Sequence, residues 1–134
     1  MFSTIVIGLD GSETAQKACD TGVELARSLG AQVHLVSAYA DASSSADEIT
    51  PEGQAAQELL ESAAAGYGSP DGSITNHALR GSPAPTILKL AEETGADLIV
   101  VGNRGLTGVR RVLGSVASAI TTQAPCTVLV VKTT

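Results

Sequence analysis

Aromatic side chains are almost missing from this sequence: one Phe, two Tyr and no Trp, 2% of 134 residues. Proteins that hold single-stranded nucleic acid stack bases on aromatic faces, so that mode of recognition has almost no raw material here and the core must be aliphatic. Cysteine is scarce as well. Cys19 and Cys126 lie far apart without a Cys-x-x-Cys spacing, which argues against a zinc site or a redox dithiol and predicts two buried thiols in a reducing, cytoplasmic compartment. Positive charge is outnumbered: 8 Lys and Arg stand against 14 Asp and Glu, a net charge of -6 with pI near 4.7. Such a field repels phosphate backbones and anionic membranes, so no nucleic-acid or membrane partner is expected and any phosphate site must be local. No run approaches the ~18–20 apolar residues of a membrane span. The first six residues carry no basic n-region of the kind a secretory signal begins with.

What the sequence has in quantity is aliphatic surface. Hydrophobic residues make up 43% and charged residues only 16%, the opposite of a disordered composition, and the length fits one domain over residues 1–134. Five short runs rich in β-branched residues, Ser3 to Leu9, Gln32 to Ala38, Ser73 to Leu79, Asp97 to Gly102 and Cys126 to Lys132, alternate with segments of helical spacing. That alternation predicts an α/β fold with a parallel sheet covered by helices. Helices are predicted over Glu13 to Leu29, Pro83 to Thr94 and about Pro51 to Ala65, with a further helical pattern opening at Gly114-Ser115. Ser12 and Ser82 are placed as N-caps, and Gly30 and Gly95 close helices in matching contexts, Ser28-Leu29-Gly30-Ala31 and Glu93-Thr94-Gly95-Ala96. Asp41 to Thr50, with its serines, offers little to bury.

In open parallel sheets ligands bind beyond the carboxyl ends of the strands, where the winding direction reverses. Two strand-end loops therefore carry the interest. Gly8-Leu9-Asp10-Gly11-Ser12 puts a carboxylate at the end of the first strand. Asp10 can satisfy the amides of the turn or accept hydrogen bonds from ribose hydroxyls, and both roles need a carboxylate at that position. Gly102-Asn103-Arg104-Gly105-Leu106-Thr107-Gly108 follows the fourth strand and leads to Gly114-Ser115. Glycines let consecutive N–H groups turn toward one anion, and the next helix adds unpaired donors at the positive end of its dipole. Three of the eight basic residues, Arg104, Arg110 and Arg111, fall in this one segment. Together these features predict a local phosphate site.

Other chemistries find no support. His34 and His77 sit within strands and are expected to be structural. There is no Gly-x-Ser-x-Gly elbow, no Gly-x-x-x-x-Gly-Lys-Ser/Thr loop, and no Gly-x-Gly-x-x-Gly after the first strand, which argues against triad hydrolases, P-loop enzymes and dinucleotide oxidoreductases.

The whole chain resembles the universal stress protein family. The resemblance rests on Ile5-Val6-Ile7-Gly8-Leu9-Asp10-Gly11-Ser12, the Gly81-Ser82-Pro83 turn, and Ala96-Asp97-Leu98-Ile99-Val100-Val101-Gly102-Asn103-Arg104-Gly105 with Leu113-Gly114-Ser115-Val116. It implies a single open doubly wound sheet of five parallel strands in the order 3-2-1-4-5, with helices on both faces. It also implies adenine-nucleotide binding in which Asp10 meets the ribose, the backbone at Ala38 the adenine, and Gly102, Gly105, Gly114, Ser115 and Val116 the phosphates. The ligand expected is ATP, or AMP or cyclic AMP, with Mg²⁺ accompanying ATP. Eight residues, Leu106 to Leu113, separate Gly105 from Gly114, one short of the family's usual interval, which bears on how terminal phosphates are held. With no general base evident, the expected role is a nucleotide-dependent regulator or sensor. The alternatives are a slow metal-dependent ATPase or phosphotransferase and an interaction module with a vestigial site. The apolar last strand, placed at a sheet edge, predicts a homodimer that covers it.

Overall fold

In the computed structural model, residues 2–43, 45, 47–68, 72–104 and 113–133 are described. Five strands, β1 (Thr4–Gly8), β2 (Gln32–Tyr39), β3 (Ile74–Arg80), β4 (Leu98–Gly102) and β5 (Thr127–Val131), alternate with four helices: α1 (Glu13–Leu29), α2 (Pro51–Tyr67), α3 (Pro83–Thr94) and α4 (Ser115–Gln123). Every strand pair is parallel, and the order is β3-β2-β1-β4-β5. The fold expected from the sequence is therefore the fold observed. The reversal of winding lies between β1 and β4, where Ile5 pairs with Leu98 and Ile7 with Val100.

Both faces of the sheet are packed, because the central strands are buried on each side. Ile5, Ile7 and Val100 join Cys19, Val23 and Leu60 of α1 and α2 on one face. Val6, Ile99 and Val101 join Ile87, Leu90, Ala117 and Ile120 of α3 and α4 on the other. Near-continuous apolar runs such as Leu98–Gly102 are what two covered faces demand.

The helix ends follow local chemistry. Ser12 caps α1 by accepting a hydrogen bond from the Ala15 amide at 3.1 Å, satisfying one of the free donors of the first turn. Gly30 and Gly95 close α1 and α3 in the left-handed conformation. In both places the next amide reaches back a full turn, Ala31 to the Ala26 carbonyl and Ala96 to the Ala91 carbonyl, each at 2.9 Å. The short sequence echo is thus one closing motif used twice. Ser82 occupies the cap position of α3 but its side chain makes no cap hydrogen bond; Pro83, lacking an N–H, reduces the need for one.

Two expectations change. The two ends of the segment Asp41 to Thr50 are anchored, because the Asp41 carboxylate meets a cation at the end of the edge strand and the Thr50 hydroxyl as well. Arg80 Nε donates to Asp41 Oδ1 at 2.9 Å, the Asp41 side chain is 1% exposed, and Thr50 Oγ1 donates to Asp41 Oδ2 at 2.6 Å. Cys19 is buried as expected, but Cys126 is only partly so, since it lies just before β5 at the sheet's margin.

Candidate functional site

The carboxyl ends of β1 and β4 open into one cleft. It encloses about 640 Å³ of space, open solvent included. Asp10, Ala38, Gly102, Arg104, Gly114, Ser115 and Val116 all line it. Residues separated by up to 106 positions in the chain, Asp10 to Val116, meet there because β1 and β4 are neighbours. Gly105, Arg110 and Arg111 lie outside the described residues.

Leu9, Val36, Pro83 and Ile87 supply an apolar wall between the end of β2 and the start of α3. Sequence reasoning did not single these out, because their spacing is that of ordinary core residues. The wall suits a flat apolar group with polar edges, such as a nucleobase.

Beside the wall stands Asp10. Its Oδ1 accepts the Ser12 amide at 2.9 Å, a turn held by Gly11 at φ +84°, a conformation that side chains with a Cβ rarely take. Its second oxygen has no partner among the described residues, so the turn role and a ligand role are compatible in one carboxylate.

The opposite end of the cleft is a concentration of hydrogen-bond donors. The N-cap of α4 is Gly114, which has no side chain to offer, so the amides at Ser115 and Val116 have no side-chain cap among the described residues and stand at the positive end of the helix, where an anion is favoured. Gly114 is held in place by donating to the Asn103 carbonyl at 2.9 Å. Asn103 also donates its own amide to Val131 at 3.0 Å, and its Oδ1 accepts the Thr133 amide at 3.0 Å and hydroxyl at 2.9 Å. One residue, through its backbone and its side chain, thereby ties the ends of β4 and β5 to the start of α4. Arg104 adds a cation, and its Nε is buried without a hydrogen-bond partner. A buried donor on a charged group is costly until an acceptor reaches it, so the chemistry of this donor set fits a phosphate.

Gly102 allows a close approach. A Cβ there would come within 3.2 Å of the Thr14 carbonyl oxygen, so the first turn of α1 packs directly on the end of β4. His34 and His77 stand away from the cleft, on β2 and β3, and hydrogen-bond to each other. Among the described residues, no group of three His, Cys, Asp or Glu side chains forms a metal cluster, and no helix is long and apolar enough to cross a membrane.

Comparison with known proteins agrees with this architecture. Residues 1–132 match the model of the universal stress protein family. A universal stress protein of Methanocaldococcus jannaschii is 34% identical over 144 aligned positions, covering 98% of this chain and 83% of that protein. One from Mycobacterium tuberculosis is 30% identical, covering 99% and 98%. Among solved structures, a universal stress protein in complex with cAMP superposes with a TM-score of 0.83 at 27% identity, over 99% of both chains. On the family match, the relatives and the shared fold, the chain belongs to the universal stress protein family.

Proposed function

We propose that this protein binds ATP or a related adenine nucleotide, AMP and cyclic AMP included, at the β1/β4 switch point, and that occupancy regulates a conformation or partner in the cytoplasm. The observation that carries the reading is the arrangement of one cleft: an apolar wall, a carboxylate with one oxygen unpartnered among the described residues, and a cluster of donors at the far end. Base, sugar and phosphate follow one another in that order along a nucleotide. Asp10 takes the ribose hydroxyls, the backbone at Ala38 the adenine edge, and Gly102, Gly105, Gly114, Ser115 and Val116 the phosphates, with Arg104 as their counter-charge. The cAMP complex of a structural relative supports an adenine ligand.

Hydrolysis is slow or absent in this reading. Asp10 and Arg104 are the only ionisable groups among the described lining residues, and the carboxylate faces the sugar position. If Mg²⁺ arrives with ATP, it is held by phosphates and waters, with Asp10 as the one carboxylate at hand. Mass spectrometry of gently purified protein, followed by calorimetry with ATP, ADP, AMP and cyclic AMP, tests the reading. Binding of at least one at micromolar concentration is expected; binding of none overturns it.

The assembly proposed is a homodimer through β5. That strand ends the sheet, and Val128, Leu129, Val130 and Val131 are only partly buried. Pairing with a second copy about a two-fold axis covers the edge and closes the assembly at two.

A further inference from the structure

The ribose end and the phosphate end of the cleft are joined by a chain of hydrogen bonds through the first turn of α1. Thr14 Oγ1 donates to the Arg104 carbonyl at 2.9 Å, linking residues 90 positions apart. Thr14 Oγ1 also lies 3.2 Å from Ser12 Oγ. A threonine hydroxyl has one proton, and Arg104 takes it, so in the second contact Ser12 is the donor and Thr14 the acceptor. Ser12 Oγ in turn accepts the Ala15 amide, and the Ser12 amide donates to Asp10 Oδ1. The direction is therefore fixed along the whole path: the Ser12 hydroxyl donates to the Thr14 hydroxyl, which donates to the Arg104 carbonyl. Successive bonds of one sense polarise and strengthen one another.

Two further features bear on where this path ends. The Gly102 Cα packs against the Thr14 backbone so closely that a Cβ would lie 3.2 Å from the Thr14 carbonyl oxygen. Arg104, whose carbonyl Thr14 holds, lines the cleft with a buried and unpartnered Nε. The backbone of Arg104 is tied from outside the phosphate loop, by a helix that itself starts at the ribose carboxylate.

We propose that Thr14 is a positioning residue for the phosphate end of the site: its hydroxyl fixes the Arg104 backbone, and so the placement of the one described cation in the cleft, relative to Asp10. The proposal rests on the nucleotide reading above and adds to it a residue that touches no ligand. Thr14 acts through Arg104, so its effect depends on a phosphate being present. A nucleoside reaches only the apolar wall and Asp10 and does not sense it.

Isothermal titration with adenosine, AMP, cyclic AMP and ATP, on wild type, Thr14→Val and Thr14→Ser, separates the possibilities. Valine keeps the shape and removes the hydroxyl. The loss of one neutral hydrogen bond predicts roughly five-fold weaker binding of the phosphate-bearing ligands, unchanged adenosine binding, and recovery in Thr14→Ser. In an Arg104→Gln background the same Thr14→Val change is expected to have no further effect. This double-mutant cycle compares variants on a common scaffold and does not require equal melting temperatures. Equal weakening for adenosine and for nucleotides, or an undiminished effect without the Arg104 guanidinium, overturns the proposal and leaves nucleotide binding standing. Wild-type protein that binds none of the four ligands removes the underlying reading and this one with it.

Discussion

His34 Nδ1 lies 2.9 Å from His77 Nε2, a hydrogen bond that ties β2 to the edge strand β3. Their ring centroids are 5.1 Å apart with the planes tilted by 37°, so the rings meet through their nitrogens and are not stacked. One ring donates and the other must be neutral to accept. Adding a proton to both puts two N–H groups face to face and breaks the bond.

A pH dependence follows. Partial burial holds both imidazoles below their ordinary value of 6.5, and for His34 the neighbouring His77 charge adds to the effect. The unfolded chain then takes up protons below about pH 6.5 that the folded chain resists, so stability falls as pH drops from 6.5 through the depressed folded values and is independent of the pair above that window. Urea melts at pH 7.5, 6.5 and 5.5 check this. Asp41 and Asp97, both held below 3.8 by hydrogen bonds, act in a lower window and do not mask it. A His34→Gln/His77→Gln variant with the same slope as wild type between pH 7.5 and 5.5 would falsify the assignment.

Arg104 gives a charge test. Coulomb attraction grows with the number of phosphates, whereas backbone amides and Asp10 act through hydrogen bonds that depend less on chain length. Arg104→Gln is expected to weaken ATP more than AMP, with the gap narrowing as salt rises from 50 mM toward roughly 500 mM and the Debye length shortens. Calorimetry at several salt concentrations measures it; equal losses at all of them count against a phosphate contact.

Leu60 is the central anchor of α2 on the sheet, with Leu59, Ala63, Ala64 and Tyr67 partly buried around the same core. Among its residues only Ala56 and Leu60 are buried, and Leu60 is 0% exposed. Leu60→Ala is expected to cost about 2–5 kcal/mol of stability, the range for deleting a buried leucine. Hydrogen exchange should show α2 opening before the sheet. A loss below 1 kcal/mol in chemical denaturation contradicts this.

The edge of β5 can be probed without disturbing β4. Asn103 donates to the Val131 carbonyl, so Val131 faces β4, and by alternation the N–H and C=O of Val130 face the free edge. Val130→Pro removes an outward donor and spares the ladder. Light scattering at micromolar concentration is expected to show a dimer for wild type and a monomer for the variant; a wild-type monomer refutes the dimer outright.

The two thiols should separate chemically. Burial pushes the Cys19 thiol up to about 11, while Cys126 is partly exposed, and thiol reagents attack accessible thiolate. One thiol is expected to react in the folded protein, with mass mapping to Cys126, and the second only in denaturant.

How much of this was legible beforehand depended on range. Asp10, Gly102 and Ser115 could be picked out because each ends a strand or starts a helix, and a parallel sheet concentrates ligands at such points. Ile87 and Val36 could not, since a cleft wall and a core use the same apolar residues. His34 and His77 read as two isolated strand residues. Only the register of β2 on β3, with His34 opposite Thr75 and His77 opposite Val36, brings their rings together diagonally. Asp41 read as part of a loop with little to bury, and became a buried partner once Arg80 was placed at the end of β3.

The sequence by itself determined what is local and periodic: five strands from β-branched runs, helices from their spacing and end residues, and an acidic chain with one basic segment. Those properties act over a few residues, through backbone conformation and the burial of one face. Tertiary structure alone decided the partnerships: Thr14 with the Arg104 carbonyl, Asn103 between β4, β5 and α4, His34 with His77. Each needs atoms from distant segments within hydrogen-bond distance, and only the order and register of the packed strands bring them there.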